Sequence, residues 1–192
     1  MKLSRQTIIF FFILIAVSTL VKVLCAPQIN LSGFTAVIAI SLFAGLTIED
    51  KKLAFLLPLL TLFITDVLLQ VLHAVNLFPY SGFYSGQIIN YILFVLLTSV
   101  GVLFRNFKTV GIIAAAFIGP AVFFLLSNFV VWKFQADIMG YNKDISGLWQ
   151  SYSLGVPFYR NSLISTFIFL PAFIALYNRI VYGKFELAHA KN

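Results

Sequence analysis

The chain has 192 residues, of which 61% are hydrophobic, 17% aromatic and 10% charged, with a formal net charge of +7. A soluble domain is about 45–50% apolar and about 25% charged, so this composition has too little polar surface to coat a water-soluble globule. It also excludes a disordered chain, and Cys25 alone excludes an internal disulfide or a cysteine-based metal cluster.

The mean hydropathy of +1.00 is that of an integral membrane protein. The cations stand singly between apolar blocks and offer no basic face to a duplex, so no nucleic-acid partner is expected. A helix crosses a hydrocarbon core of about 30 Å with about 20 mainly apolar residues. Six stretches meet or approach that length: 7–25, 31–47, 53–72, 87–104, 109–132 and 161–182. None alternates as barrel strands do. The expected fold is therefore all-α: one integral membrane domain over 1–192, built as a six-helix transmembrane bundle.

In chain order, the first stretch follows Lys2 and Arg5 as a signal peptide would, but Lys22 interrupts it and Leu24-Cys25-Ala26 is a poor cleavage site. It is read as a retained helix. The short second stretch carries Gly33, Ala36, Ala39, Ala44 and Gly45, small residues that suit packing among neighbours. The third holds Asp66 and Gln70, four residues apart on one helical face. Phe78, Tyr80, Phe83 and Tyr84 follow in a turn-rich loop, and Gln87 and Asn90 open the fourth stretch.

The fifth stretch has Gly111, Ala115 and Gly119 in a close-packing stripe, and ends on Asn128 and Trp132. Beyond it, Ile145, Leu148, Trp149 and Tyr152 mark one apolar face of an amphipathic segment over 144–154. Asp144 is placed as its N-cap, and Gly155 and Pro157 are expected to end it. Such a segment can lie among headgroups or roof a pocket. Arg160 and Asn161 open the sixth stretch. Pro58, Pro120 and Pro171 fall inside spans, where membrane helices bend rather than break.

Cations favour the cytoplasmic side. With the N-terminus inside, that side holds Lys2, Arg5, Lys51, Lys52, Arg105, Lys108, Arg179, Lys184 and Lys191, leaving Lys22, Lys133, Lys143 and Arg160 outside. Both termini are thus expected to be cytoplasmic. In that orientation Lys22, Asp66, Gln70, Gln87, Asn90, Asn128, Trp132, Arg160 and Asn161 all fall in the outer third. Polar groups at membrane depth are costly and mark function, so Asp66, Gln70, Asn90, Asn128, Trp132, Arg160 and Asn161 are the candidate lining of an outward solute pocket. The bland alternative is that Gln87, Arg160 and Asn161 are interfacial caps. Lys22 and Asp66, at similar depth, are expected to form a structural ion pair.

No nucleophile–base pair, metal-ligand motif or phosphate loop is present, and His73 and His189 fall on opposite sides. No catalytic residue, metal or cofactor is expected, and the chain is not read as an enzyme.

The block from Ile29 to Gln70, with LAFLLPLLTLFITDVLLQ, together with SNFVVW at 127–132 and GVPFYRNSL at 155–163, resembles an uncharacterised bacterial family of six-span transport-type membrane proteins. That family is similar to the substrate-binding S components of energy-coupling-factor (ECF) vitamin importers. The resemblance implies a multi-pass protein of the bacterial inner membrane. It would capture a small-molecule solute and work with a separate transmembrane coupling subunit and ATPases. It assigns Asp66, Asn128, Trp132, Arg160 and Asn161 as characteristic polar positions. The sequence departs from it at Thr166, where an acidic residue is usual, and at Leu20, which replaces the second alanine of an Ala-x-x-x-Ala docking motif. The alternative function is a non-transporting membrane scaffold or assembly protein.

Overall fold

The computed structural model describes residues 4–185; Lys2, His189 and Lys191, used in the charge and metal arguments above, lie outside the described residues. Those described form α1 (Arg5–Cys25), a 3-10 turn (Ile29–Leu31), α2 (Val37–Thr47), α3 (Lys51–Ala74), α4 (Gln87–Phe104), a second 3-10 turn (Arg105–Phe107), α5 (Lys108–Met139) and α6 (Ile145–Tyr182), with no strand among them.

Helix starts follow local chemistry. The Ser4 hydroxyl accepts from the Thr7 amide at 3.1 Å, Asp50 Oδ1 from the Leu53 amide at 3.0 Å, and Asp144 Oδ1 from the Gly147 amide at 2.9 Å, so Asp144 is the N-cap its position suggested. Gly140 and Gly183 end α5 and α6 at φ 71° and 73°, a left-handed backbone that suits glycine.

Four stretches are long and apolar enough to cross a membrane: Arg5–Cys25, Lys51–Ala74, the 53-residue run Gln87–Met139, and Ile145–Tyr182. The six-helix expectation is therefore corrected. α4 and α5 follow one another directly through the Arg105–Phe107 turn, with no loop residue between them, so the 53-residue run counts as one and gives five helical stretches. The run folds back near Lys108, at φ 47°, because α4 and α5 pack on each other.

The second stretch shrinks to 11 residues, about half the hydrocarbon thickness at about 1.5 Å per residue. Residues 32–36 ahead of it stay irregular because α6 side chains capture their backbone groups, as described below. A third correction concerns the 144–154 segment. It does not end at Gly155 and Pro157 but runs on into the sixth stretch as one 38-residue helix. Gly155 serves contact rather than termination: a Cβ there would lie 2.5 Å from Asn128 Oδ1.

Helix α2 is the centre of the fold. Every residue from Val37 to Thr47 is buried, and α3, α4, α5 and α6 all pack against it, while α1 closes the seam between α3 and α6. A helix apolar all round belongs inside. Its small residues do what the sequence suggested. Gly45 and Gly101 bring α2 and α4 into backbone contact, and Gly119 of the α5 stripe leaves room for the Leu42 side chain. Phe10, Phe43 and Tyr177 form a three-ring contact with centroids 5.1–5.3 Å apart.

Arg105 then reaches from the α4–α5 turn to the C-terminal end of α2, donating to the Gly45 carbonyl at 2.9 and 2.7 Å and to the Ile48 carbonyl at 2.5 Å. Arg105 and Lys108 thus lie beside the turn that leads to Lys51 and Lys52, and the Phe10–Phe43–Tyr177 contact sets the start of α1 with Arg5 and the end of α6 with Arg179 toward the same end of the bundle. Lys22, His73 and Gln87 mark the other.

Candidate functional site

The candidate site lies near the Lys22 end, between α1, α3 and α4, around Asp66. This carboxylate is 2% exposed. Lys22 Nζ of α1 donates to its Oδ1 at 2.8 Å, which is the ion pair expected from matching depth. Its Oδ2 accepts from Gln87 Nε2 at 2.6 Å and from the Tyr91 hydroxyl at 3.0 Å, both on α4. Gln87 Nε2 also contacts the Tyr91 oxygen at 3.0 Å. One turn closer to the centre, Thr19 Oγ1 donates to Thr65 Oγ1 at 3.3 Å, a second polar tie between α1 and α3. A buried charge persists only when paired and hydrogen-bonded, and here both oxygens are occupied.

The same face of α3 holds the loop after it. Gln70 Oε1 accepts from the Ser81 hydroxyl at 2.7 Å and from the Gly82 and Phe83 amides at 3.1 and 3.3 Å. His73 Nδ1 lies 3.0 Å from the Phe78 carbonyl. Gly82 rests against the α3 backbone so closely that a Cβ there would meet the Asp66 carbonyl, and 2.6 Å away the Gln70 amide nitrogen. Asp66, Gln70 and His73, at i, i+4 and i+7, thus fasten residues 78–87 over the Lys22 end. Of the loop's aromatic residues Phe78 is buried, whereas Tyr80, Phe83 and Tyr84 are exposed. Asn90 Nδ2 donates to the Tyr84 hydroxyl and is not directed at Asp66.

The remaining candidates stand apart from this cluster. Asn128 Nδ2 donates to the Phe124 carbonyl of its own helix at 2.9 Å, and its side chain packs on Gly155. Trp132 Nε1 donates to the Asn142 carbonyl at 3.0 Å and closes the α5–α6 turn. Asn161 Nδ2 donates to the Asn30 and Ser32 carbonyls at 2.9 and 2.8 Å. Ser162 Oγ donates to the Gly33 carbonyl at 2.9 Å, and Ser165 Oγ accepts from the Thr35 amide at 3.3 Å. This ladder along α6 satisfies the irregular backbone ahead of α2, which an apolar surrounding requires.

Arg160 is exposed and has no hydrogen-bond or ion-pair partner among the described residues. It lies two residues before buried Ser162, hence on roughly the opposite face of α6, between exposed Val156 and Ile164.

The candidates therefore divide into four groups: Lys22 and Asp66 pair while Gln70 and Asn90 hold the adjoining loop, Asn128 and Trp132 belong to the α5–α6 seam, Asn161 holds the entry to α2, and Arg160 stands alone on the exposed face of α6. Tyr91 is the participant that sequence reasoning missed. Its position four residues after Gln87, on the same helical face, was the available signal.

A family model covers residues 2–189, and the chain belongs to that family, a family of unknown function (DUF6580). Curated proteins and solved structures give no match. Nothing in these comparisons links the chain to the S components of ECF importers.

Proposed function

We propose that the protein is a multi-pass transport protein of the bacterial inner membrane that captures a small solute at the Lys22 end, which faces outward. The observation that carries this reading is Asp66, a carboxylate 2% exposed among apolar helices and contacted from both α1 and α4. An ionisable group inside a membrane helix is costly and is by default a candidate for a solute or ion pathway.

The cations gathered at the Arg105 end favour that end, and with it both termini, on the cytoplasmic side. Capture would be passive and non-enzymatic. A separate transmembrane coupling subunit with ATPases would supply the energy.

A scaffold or assembly role is the second reading, because Gln70, Trp132 and Asn161 spend their polar atoms tying loops down. A thermal-shift screen of the purified protein against vitamins, cofactor precursors, amines and metal ions separates the two. Saturable stabilisation that Asp66→Asn abolishes supports capture. A wild type that no solute stabilises, but that co-purifies with a stoichiometric membrane partner, supports the scaffold.

A further inference from the structure

We infer that the Asp66 site takes the ammonium group of a small primary amine, and that Lys22 is a tethered occupant which such a solute displaces. This rests on the solute-capture reading and names the chemical class of the solute.

The two carboxylate oxygens are treated differently. Oδ2 is fixed by the neutral donors Gln87 and Tyr91, both carried on α4. Oδ1 is met by a cation on a flexible four-carbon stem, at 2.8 Å. The carboxylate side chain is 3% exposed while the lysine side chain is 23% exposed, so the cation's half of the pair is the accessible one. Lys22 also sits three residues before the end of α1, close enough to swing its ammonium out to headgroups once displaced. An alkylammonium arriving in its place meets the same Oδ1, and the site keeps its charge balance.

The charge distribution excludes the opposite polarity. Among the described residues the other acids lie at helix boundaries: Glu49 and Asp50 before α3, Asp137 and Asp144 beside the α5–α6 turn. Among the described residues Asp66 is the one acid in the middle of an apolar helix. The unpaired cation Arg160, which would suit an anion, lies on the exposed face of α6 away from it.

Chemical rescue of Lys22→Met tests the proposal, with Lys22→Gln as the variant that keeps a neutral donor toward Asp66 if the methionine protein folds poorly. Propylammonium chloride is the probe, and tetramethylammonium chloride at equal ionic strength is the control that carries charge without N–H donors. Propylammonium is expected to raise the melting temperature of either Lys22 variant saturably, with an apparent affinity about tenfold or more tighter than for wild type, because the tethered competitor is gone. Tetramethylammonium is expected to do markedly less, and Asp66→Asn to abolish the effect.

Equal shifts from both cations, or rescue that survives in Lys22→Met/Asp66→Asn, overturn the proposal. Stabilisation of wild type by an anionic or uncharged solute, with no propylammonium rescue, overturns it while leaving capture intact. Asp66-dependent rescue beside a wild type that no solute stabilises overturns capture and leaves the amine preference of the site.

Discussion

Gly45 of α2 and Gly101 of α4 face each other with no side chain between them: a Cβ on Gly101 would stand 2.5 Å from the Leu42 carbonyl oxygen and 2.9 Å from Gly45 Cα. The obstacle is backbone, which cannot rotate aside. Gly101→Ala is therefore expected to force α2 and α4 apart and cost about 1–3 kcal/mol. Gly119→Ala meets only the methyl end of Leu42, at 2.6 Å, and is expected to cost less. Thermal or denaturant unfolding of the two variants in one detergent checks the order. Equal losses would mean that the α2–α4 seam is looser than this geometry.

The Lys22–Asp66 pair makes an asymmetric prediction. Lys22→Met leaves an anion in a site 2% exposed, whereas Asp66→Asn leaves a partly exposed ammonium that can reach headgroups. Removing one partner of a fully buried pair costs about 3–5 kcal/mol. The partial exposure of Lys22 lowers this to roughly 2–4 kcal/mol for Lys22→Met, and further for Asp66→Asn. Lys22→Met/Asp66→Asn is expected to cost less than the sum. A double-mutant cycle by thermal unfolding measures this, and strictly additive losses would remove the coupling.

Arg105 caps α2 through a fork. Its Nε and Nη2 share the Gly45 carbonyl, and the same Nη2 also reaches the Ile48 carbonyl. Lysine keeps the charge but not the planar geometry. Arg105→Lys is expected to retain part of the stability that Arg105→Ala loses, the latter costing about 1.5–3 kcal/mol for charge-assisted bonds to backbone. Amide hydrogen exchange over 44–50 should rise in the alanine variant more than in the lysine one. Unchanged exchange there would show that α2 ends without this support.

What the sequence made legible was whatever depends on depth and on single-helix periodicity. Lys22 and Asp66 could be paired because equal depth and opposite charge suffice, and Gly45, Gly111 and Gly119 could be read as close-packing because small residues leave a gap wherever they face a neighbour. The direction of a side chain around its helix depends on which neighbour lies where. Arg160 and Asn161 are adjacent in sequence and at one depth, yet one is exposed and the other ties down Asn30 and Ser32. Gly155 and Pro157 read as a stop because local propensity favours one, but the fit of Gly155 on Asn128 outweighs it. The start of α2 was hidden for the same reason: its apolar pattern extends back toward 31, and the α6 side chains bond the irregular backbone within 32–36 instead.

Those α6 contacts supply the last prediction. Asn161 is 6% exposed and spends both amide hydrogens on the Asn30 and Ser32 carbonyls, beside a Gly33 at φ 87° that lies against the Phe158 backbone. Asn161→Ala removes both donors, and because Asn30 is exposed and Ser32 half-buried their carbonyls can find other donors, so the cost is about 0.5–1.5 kcal/mol for each bond lost. The loss should be local. Hydrogen exchange is expected to quicken over residues 30–36 while the α3–α4 loop stays protected, because Gln70 and His73 hold that loop separately. Asn161→Asp also removes the donors and sets a carboxylate oxygen against the two carbonyls, so it should cost at least as much as alanine. If both variants leave 30–36 protected, Ser162 and Ser165 alone hold the segment, and the break before α2 does not depend on Asn161.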